Sequence, residues 1–435
     1  MSKSNSIIQE LKEKLSKLAS IDIQNENGKI VFLRELLITL NKFFFEKRMG
    51  ENAEDLQSPF YRDNPDTLPS WKRHTEFLAI WDDYSEKVLS FMYPEDNIIT
   101  LAKQLNEIFR NAQSLRAIPK KIDPDIEQQY FGNMTGREFV FIRIVHALQD
   151  FTQILPEIDL FFTKVLKKRF KKIPTAHDLK NEEKALDFLT VLGGADRNVD
   201  ERTRYITDLS DILIDKYDGD PFLIFDKCDG NAKAIFDVLT SFTGIASKKA
   251  NMLLRDFYEY GLWLYKTNLE NINIIADNRI MRIALRTGII NIALPKLLND
   301  LIDQYDYQYM MTVKCTEEAF RKVWLKCKLL NNNIDIITYP ARFDSFFFHL
   351  ANANVQQGPK GCCSPNDITC VSGKKREKFY LWLKDELNYD CKQSCPLLEV
   401  CPDRLKKLNP PFAIQNNTWN QIFTNEGGGG GLRGI

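Results

Sequence analysis

The feature that most constrains this chain is a glycine set between two apolar helical stripes. Phe236, Leu239 and Phe242 recur at helical spacing up to Thr243-Gly244. Ala250, Leu253, Leu254 and Phe257 begin a second stripe a few residues later. So short a connection folds the two helices back on each other, and Gly244 supplies the positive φ that the turn requires. Ser247 suits the start of the second helix. The turn and that helix N-terminus present backbone N–H groups, a seat for a phosphate, and Lys248 and Lys249 bring positive charge to the same place. Such a contact positions a nucleic-acid backbone without reading its bases.

The rest of the chain also reads as helical, so the expected fold class is all-α. Ile7, Ile8, Leu11, Leu15 and Leu18 mark one stripe; Ile30, Leu33, Leu36, Leu37, Leu40 and Phe44 mark another. Pro59, Pro65 and Pro69 punctuate a polar loop over 50–72. A break at Pro119 to Pro124 separates an N-terminal helical domain, 1–125, from a helical core over 126–350. A cysteine-rich segment occupies 351–410, and a tail over 411–435 carries five consecutive glycines at 427–431, which cannot pack. Lys+Arg and Asp+Glu both number 59, so the net charge is zero. That balance argues against a non-specific basic coat for nucleic acid and leaves a local basic face open.

Lys164 to Lys172 is the strongest basic run, either a phosphate-contacting surface or a solvated helix end before Pro174. No apolar run is long enough to span a bilayer; Phe343 to Leu350 is short and carries Asp344 and His349. No signal-peptide core is visible, so a cytoplasmic location with reduced cysteines is expected. His74, His146, His177 and His349 have no metal-ligand spacing, and His146 and His349 lie in apolar stretches that predict packed side chains.

Gly244-Ile245-Ala246-Ser247-Lys248-Lys249-Ala250-Asn251 resembles the hairpin signature of the endonuclease III-like, helix-hairpin-helix DNA glycosylase superfamily. Ala276-Asp277-Asn278-Arg279-Ile280-Met281-Arg282 is similar to the family's segment that carries its catalytic aspartate. Arg204 through Pro221 looks like the helix before the hairpin. The similarity covers roughly residues 190–290. It implies a protein that binds double-stranded DNA, flips a damaged or modified base and cleaves its N-glycosidic bond. Asp277 would stabilise the cationic sugar, and Lys248 falls where bifunctional members keep a nucleophilic lysine that attacks C1′. Gly244, Ala246, Ser247 and Lys249 would hold the backbone. Gln149, in Ala147-Leu148-Gln149-Asp150, matches a glutamine that fills the gap left by an extruded base. Ala246 stands where the family has a second glycine, which predicts an altered turn, and the interval from Lys248 to Asp277 is lengthened around Tyr258 to Asn273, which predicts an insertion beside the pocket. The N-terminal domain would serve substrate choice or a protein partner.

Six of the nine cysteines crowd toward the C-terminus. Cys391, Cys395 and Cys401 form a compact triplet, and Cys362, Cys363 and Cys370 lie upstream. Four thiolates suffice for a zinc site or an iron–sulfur cluster. The resemblance implies a [4Fe–4S] cluster on Cys391, Cys395, Cys401 and Cys363, with Cys370 or Cys362 as the alternative fourth ligand and Lys374 to Asn388 as an inserted helix. Lys374, Lys375, Arg376, Arg404, Lys406 and Lys407 flank the cysteines and would face DNA. Cys228, Cys315 and Cys327 sit in helical patterns, as core or surface thiols.

Overall fold

The computed structural model describes residues 91–112, 119–128, 134–149, 172–193, 199–292, 305–330, 338–353 and 374–390, with isolated residues between 13 and 35, at 195 and between 396 and 400. These residues are mostly helical. One short antiparallel pair, β1 (Phe91–Met92) with β2 (Asn291–Ile292), is present among them. None of the described helices is long and apolar enough to cross a membrane.

Two apolar cores organise the helices. The first surrounds α2 (Gly136–Gln149), which is buried on nearly every face. Thr135 and Glu138 start that helix reciprocally: each backbone N–H donates to the other's side chain, at 2.9 and 3.2 Å. Around it lie α3 (Ala176–Leu179), α4 (Glu182–Val191), α5 (Val199–Tyr217), α6 (Leu223–Lys227), α7 (Ala232–Thr240) and α8 (Ser247–Glu259). The second core joins α1 (Glu95–Phe109), α9 (Asn278–Thr287), α10 (Tyr305–Leu330), α11 (Asp344–Ala353) and α12 (Lys374–Leu387). Ile98, Leu101, Ala102, Leu105, Ile108 and Phe109 form one stripe along α1, and that stripe lies on α10. This part of the expected N-terminal domain therefore shares a core with the C-terminal half. Most of the rest of 1–125 lies outside the described residues.

The chain passes from one core to the other over very few residues. Ile272 is buried in the first core and Ile274 in the second. Ala341 and Phe343 repeat the crossing. The seam between the cores thus runs past the loop leading to Asp277.

The segment following α8 packs into the first core. Trp263 is fully buried and its ring meets Phe257 at 4.6 Å. The carbonyl of Thr267 accepts from the Ala232 N–H at 3.1 Å, so this segment lies at the start of α7, a helix length from the hairpin turn. Gly261 opens the segment with φ of 72°. A Cβ there would sit 1.9 Å from the Lys120 carbonyl oxygen. Gly261→Ala should therefore destabilise by at least about 2 kcal/mol, combining left-handed strain with a backbone clash. A urea unfolding curve within 0.5 kcal/mol of wild type, roughly the noise for a surface change, would contradict this.

Candidate functional site

Helices α7 and α8 form the expected hairpin. Asn231 caps α7, its Oδ1 accepting from the N–H groups of Lys233 and Ala234 at 3.0 and 3.2 Å. Gly244 has φ of 89°. A side chain there would also press on the Tyr205 ring at 3.0 Å and on Leu148 at 3.3 Å. Backbone conformation and close packing on α5 and α2 both require glycine. Ile245 is buried and anchors the turn. Ala246 is exposed and caps α8 in an extended conformation, φ −94° and ψ 177°. Any L-residue adopts that conformation, so alanine fits this position without backbone strain. Ser247 is the first helical residue, not the cap.

Two of the residues expected to contact DNA are engaged inside the protein. The Lys249 ammonium donates to the carbonyls of Gly244 at 2.9 Å and Leu148 at 3.3 Å. It stitches the turn to the C-terminal end of α2, where a cation also suits the helix dipole. Gln149 is fully buried: its amide donates to the Arg202 carbonyl at 3.3 Å, and its own backbone carbonyl accepts from Arg202 Nη1 at 2.8 Å. So placed, Gln149 holds the end of α2 to α5 through Arg202. Lys248 lies half-buried in the first turn of α8. The basic run lies outside the described residues up to Lys171.

Asp277 is half-buried at the N-terminus of α9. Its Oδ1 accepts from the Ile280 N–H at 3.0 Å and its carbonyl accepts from Met281 at 2.9 Å, so it caps the helix. The loop before it is tied to the hairpin. The Asn273 N–H donates to Asn251 Oδ1 on α8 at 2.9 Å. Arg321 on α10 donates to Asn273 Oδ1 at 2.7 Å. One turn away on α10, Glu317 accepts from the Ser247 hydroxyl at 2.7 Å and lies 3.5 Å from the Asn251 amide nitrogen. A buried polar cluster therefore joins the first turn of α8, the Asp277 loop and α10. Glu317, Arg321 and Asn273 carry no local signature, because α10 lies far along the chain from the hairpin.

A second cluster of charges continues along α8. Asp256 accepts from Arg143 Nη2 and from Arg255 Nη2, each at 2.7 Å. Arg255 also pairs with Asp344, the first residue of α11, and the Ile275 N–H donates to the Asp344 carboxylate. The two acids respond in opposite ways. Burial would raise Asp256, but Arg255 and Arg143 outweigh it and hold that carboxyl below its usual range. Asp344 has only a share in Arg255. Burial pushes its carboxyl up to about 7, Arg255 offsets part of this, and the charge of Asp277 adds to it. Burial likewise pushes Glu317 up to about 7 against the opposing effects of Ser247 and Arg321.

These shifts fix a sign for the pH dependence of stability. In the unfolded chain both carboxyls titrate near pH 4, roughly as free side chains do. Between there and about 7 the folded protein holds protons that the unfolded chain has lost. The stabilisation is complete below the unfolded pKa and disappears as pH rises through the folded one. Unfolding free energy should fall by on the order of 1–3 kcal/mol per group between about pH 4 and 7. Asp344→Asn should flatten that slope in urea titrations; an unchanged slope would show that Asp344 does not titrate there.

His146 and His349 are packed as expected. His146 is buried beside Arg143, and the His349 ring stacks on Trp382 with centroids 4.4 Å apart. Cys315 and Cys327 are buried and Cys228 is half-buried. Cys362, Cys363, Cys370, Cys391, Cys395 and Cys401 lie outside the described residues, and among the described residues no group of acids, histidines and cysteines could hold a metal ion. Leu397 and Val400, between the last of these cysteines, are buried in the second core. Compared with protein-family models and with curated proteins, the sequence matches no family model and no curated relative.

Proposed function

We propose that this chain is a helix-hairpin-helix DNA glycosylase that acts on a damaged or modified base in duplex DNA. One observation carries the reading. A glycine-turned hairpin and an aspartate-capped helix follow each other in the family's order, and the Asn251–Asn273 bond ties them together. In this reading the hairpin turn grips a phosphate while Asp277 faces the sugar of a flipped nucleotide. Breaking the bond between C1′ and the base leaves the electron pair on the base and builds positive charge on the sugar; the Asp277 carboxylate offsets that charge while water adds at C1′ and gives up a proton, which ends on the departing base. Lys248 is the candidate nucleophile for an additional abasic-site lyase step. Cys363, Cys391, Cys395 and Cys401, with Cys370 or Cys362 as alternatives to Cys363, would hold a [4Fe–4S] cluster or, with the same donor set, zinc. Such a group would brace the chain between Asp390 and Cys401, where Leu397 and Val400 already pack.

A non-catalytic hairpin module is the second reading, favoured by the capping bond that engages one oxygen of Asp277. Mass spectrometry of bases released from a panel of damaged and naturally modified duplexes separates the two, with RNA and free nucleotides as competing substrates. Release of a base from duplex DNA is the expected result, and no release from any substrate overturns it. Borohydride trapping with abasic DNA tests the lyase step: an adduct that survives Lys248→Ala removes that lysine from the role.

A further inference from the structure

We infer that Glu317 and Arg321, one turn apart on α10, are positioning residues that clamp the Asp277 loop against the hairpin. The inference deepens the proposed glycosylase reading and rests on it for the role given to Asp277. The clamp itself is a matter of bonds. Arg321 donates to the Asn273 side chain at 2.7 Å, while the Asn273 N–H donates to Asn251 at 2.9 Å. Glu317 accepts from Ser247 at 2.7 Å and sits beside the Asn251 amide, so it orients the residue that receives that N–H. Every partner is at least partly buried, where a directional bond has few competitors from water. Asn273 stands four residues before Asp277, and Ile272 and Ile274 on either side of it belong to different cores. Apolar side chains thus anchor the loop on both sides of the crossing, and the α10 pair adds a directional polar tie at Asn273 between them.

The arrangement predicts which atoms matter. Glu317 acts through an oxygen that accepts, so glutamine can replace it in the bond to Ser247 while alanine cannot. Arg321 acts through a donor that alanine removes. Neither side chain needs to touch DNA, so their loss should change the rate of chemistry more than the affinity.

The test uses the full-length protein with Glu317→Gln, Glu317→Ala and Arg321→Ala. Amide hydrogen exchange of the 272–277 segment is measured beside single-turnover base release and duplex affinity. Both alanine variants should speed exchange of that segment by roughly an order of magnitude, the equivalent of about one lost hydrogen bond. Base release should slow by up to about a hundredfold, the penalty for a misplaced reacting group. Duplex affinity should stay within about threefold, and Glu317→Gln should restore protection of the loop. Unchanged exchange at 272–277 in both alanine variants overturns the clamp, whatever the enzyme does. Loosening of all of α7 and α8 together, without rescue by glutamine, also overturns it, because that is the signature of simple destabilisation. Wild-type protein that releases no base overturns the catalytic reading instead, and the exchange data still decide the clamp.

Discussion

Asp256→Ala is expected to lower the unfolding free energy by about 3–5 kcal/mol, the cost of leaving buried charge without its partner. Asp256 accepts from both Arg143 and Arg255, and its own side chain is only 13% exposed. Removing it takes a carboxylate partner from two guanidinium groups, Arg143 on α2 and Arg255 on α8, of which Arg255 keeps Asp344. A second readout makes the prediction sharper. With Asp256 gone, Arg255 has Asp344 as its nearest acid, and the full attraction of that cation should draw the Asp344 carboxyl down toward its ordinary range. The pH slope of stability between about 4 and 7 should shrink along with stability itself. Chemical denaturation at several pH values checks both. A loss under about 1 kcal/mol would mean that water or rearranged partners take up the two cations.

Asp277→Asn is expected to cut base release by about 100- to 1000-fold while duplex binding and stability hold. The substitution is informative because the residue has two separable jobs. As a helix cap, asparagine serves about as well as aspartate, its Oδ1 accepting the same Ile280 N–H. As a counter-charge to a developing sugar cation, it fails. Asp277→Ala loses both jobs and should add about 1 kcal/mol of destabilisation. If the asparagine variant releases bases at the wild-type rate, capping is the whole role of Asp277 and the non-catalytic reading stands.

The helical character and the hairpin were legible in the sequence for a local reason. Apolar spacing and one glycine at φ 89° are written within a few dozen residues. The polar cluster was not legible, because Ser247 meets Glu317 and Asn273 meets Arg321 across long intervals that no periodicity records. Lys249 and Gln149 were legible as polar residues near a turn, but a side chain's direction depends on what packs above it. The carbonyls of Gly244 and Leu148 claim the lysine, and Arg202 claims the glutamine. Ala246 is a simpler case: its φ of −94° is one that any L-residue adopts, so its conformation places no demand for glycine there.

The seam between the two cores has a consequence for how the halves of this protein meet. Greasy faces pressed together can slide by a turn of helix at modest cost, since one methyl group serves nearly as well as the next. Hydrogen-bond valence is less forgiving. Ser247 with Glu317, Asn251 with Asn273, and Arg255 with Asp344 are satisfied together in one alignment and frustrated in its neighbours. The angle between the cores is thus set by counting donors against acceptors, with apolar area supplying cohesion on either side. Substitutions that make the seam more apolar should yield a protein that is no less stable yet less decided about its own alignment.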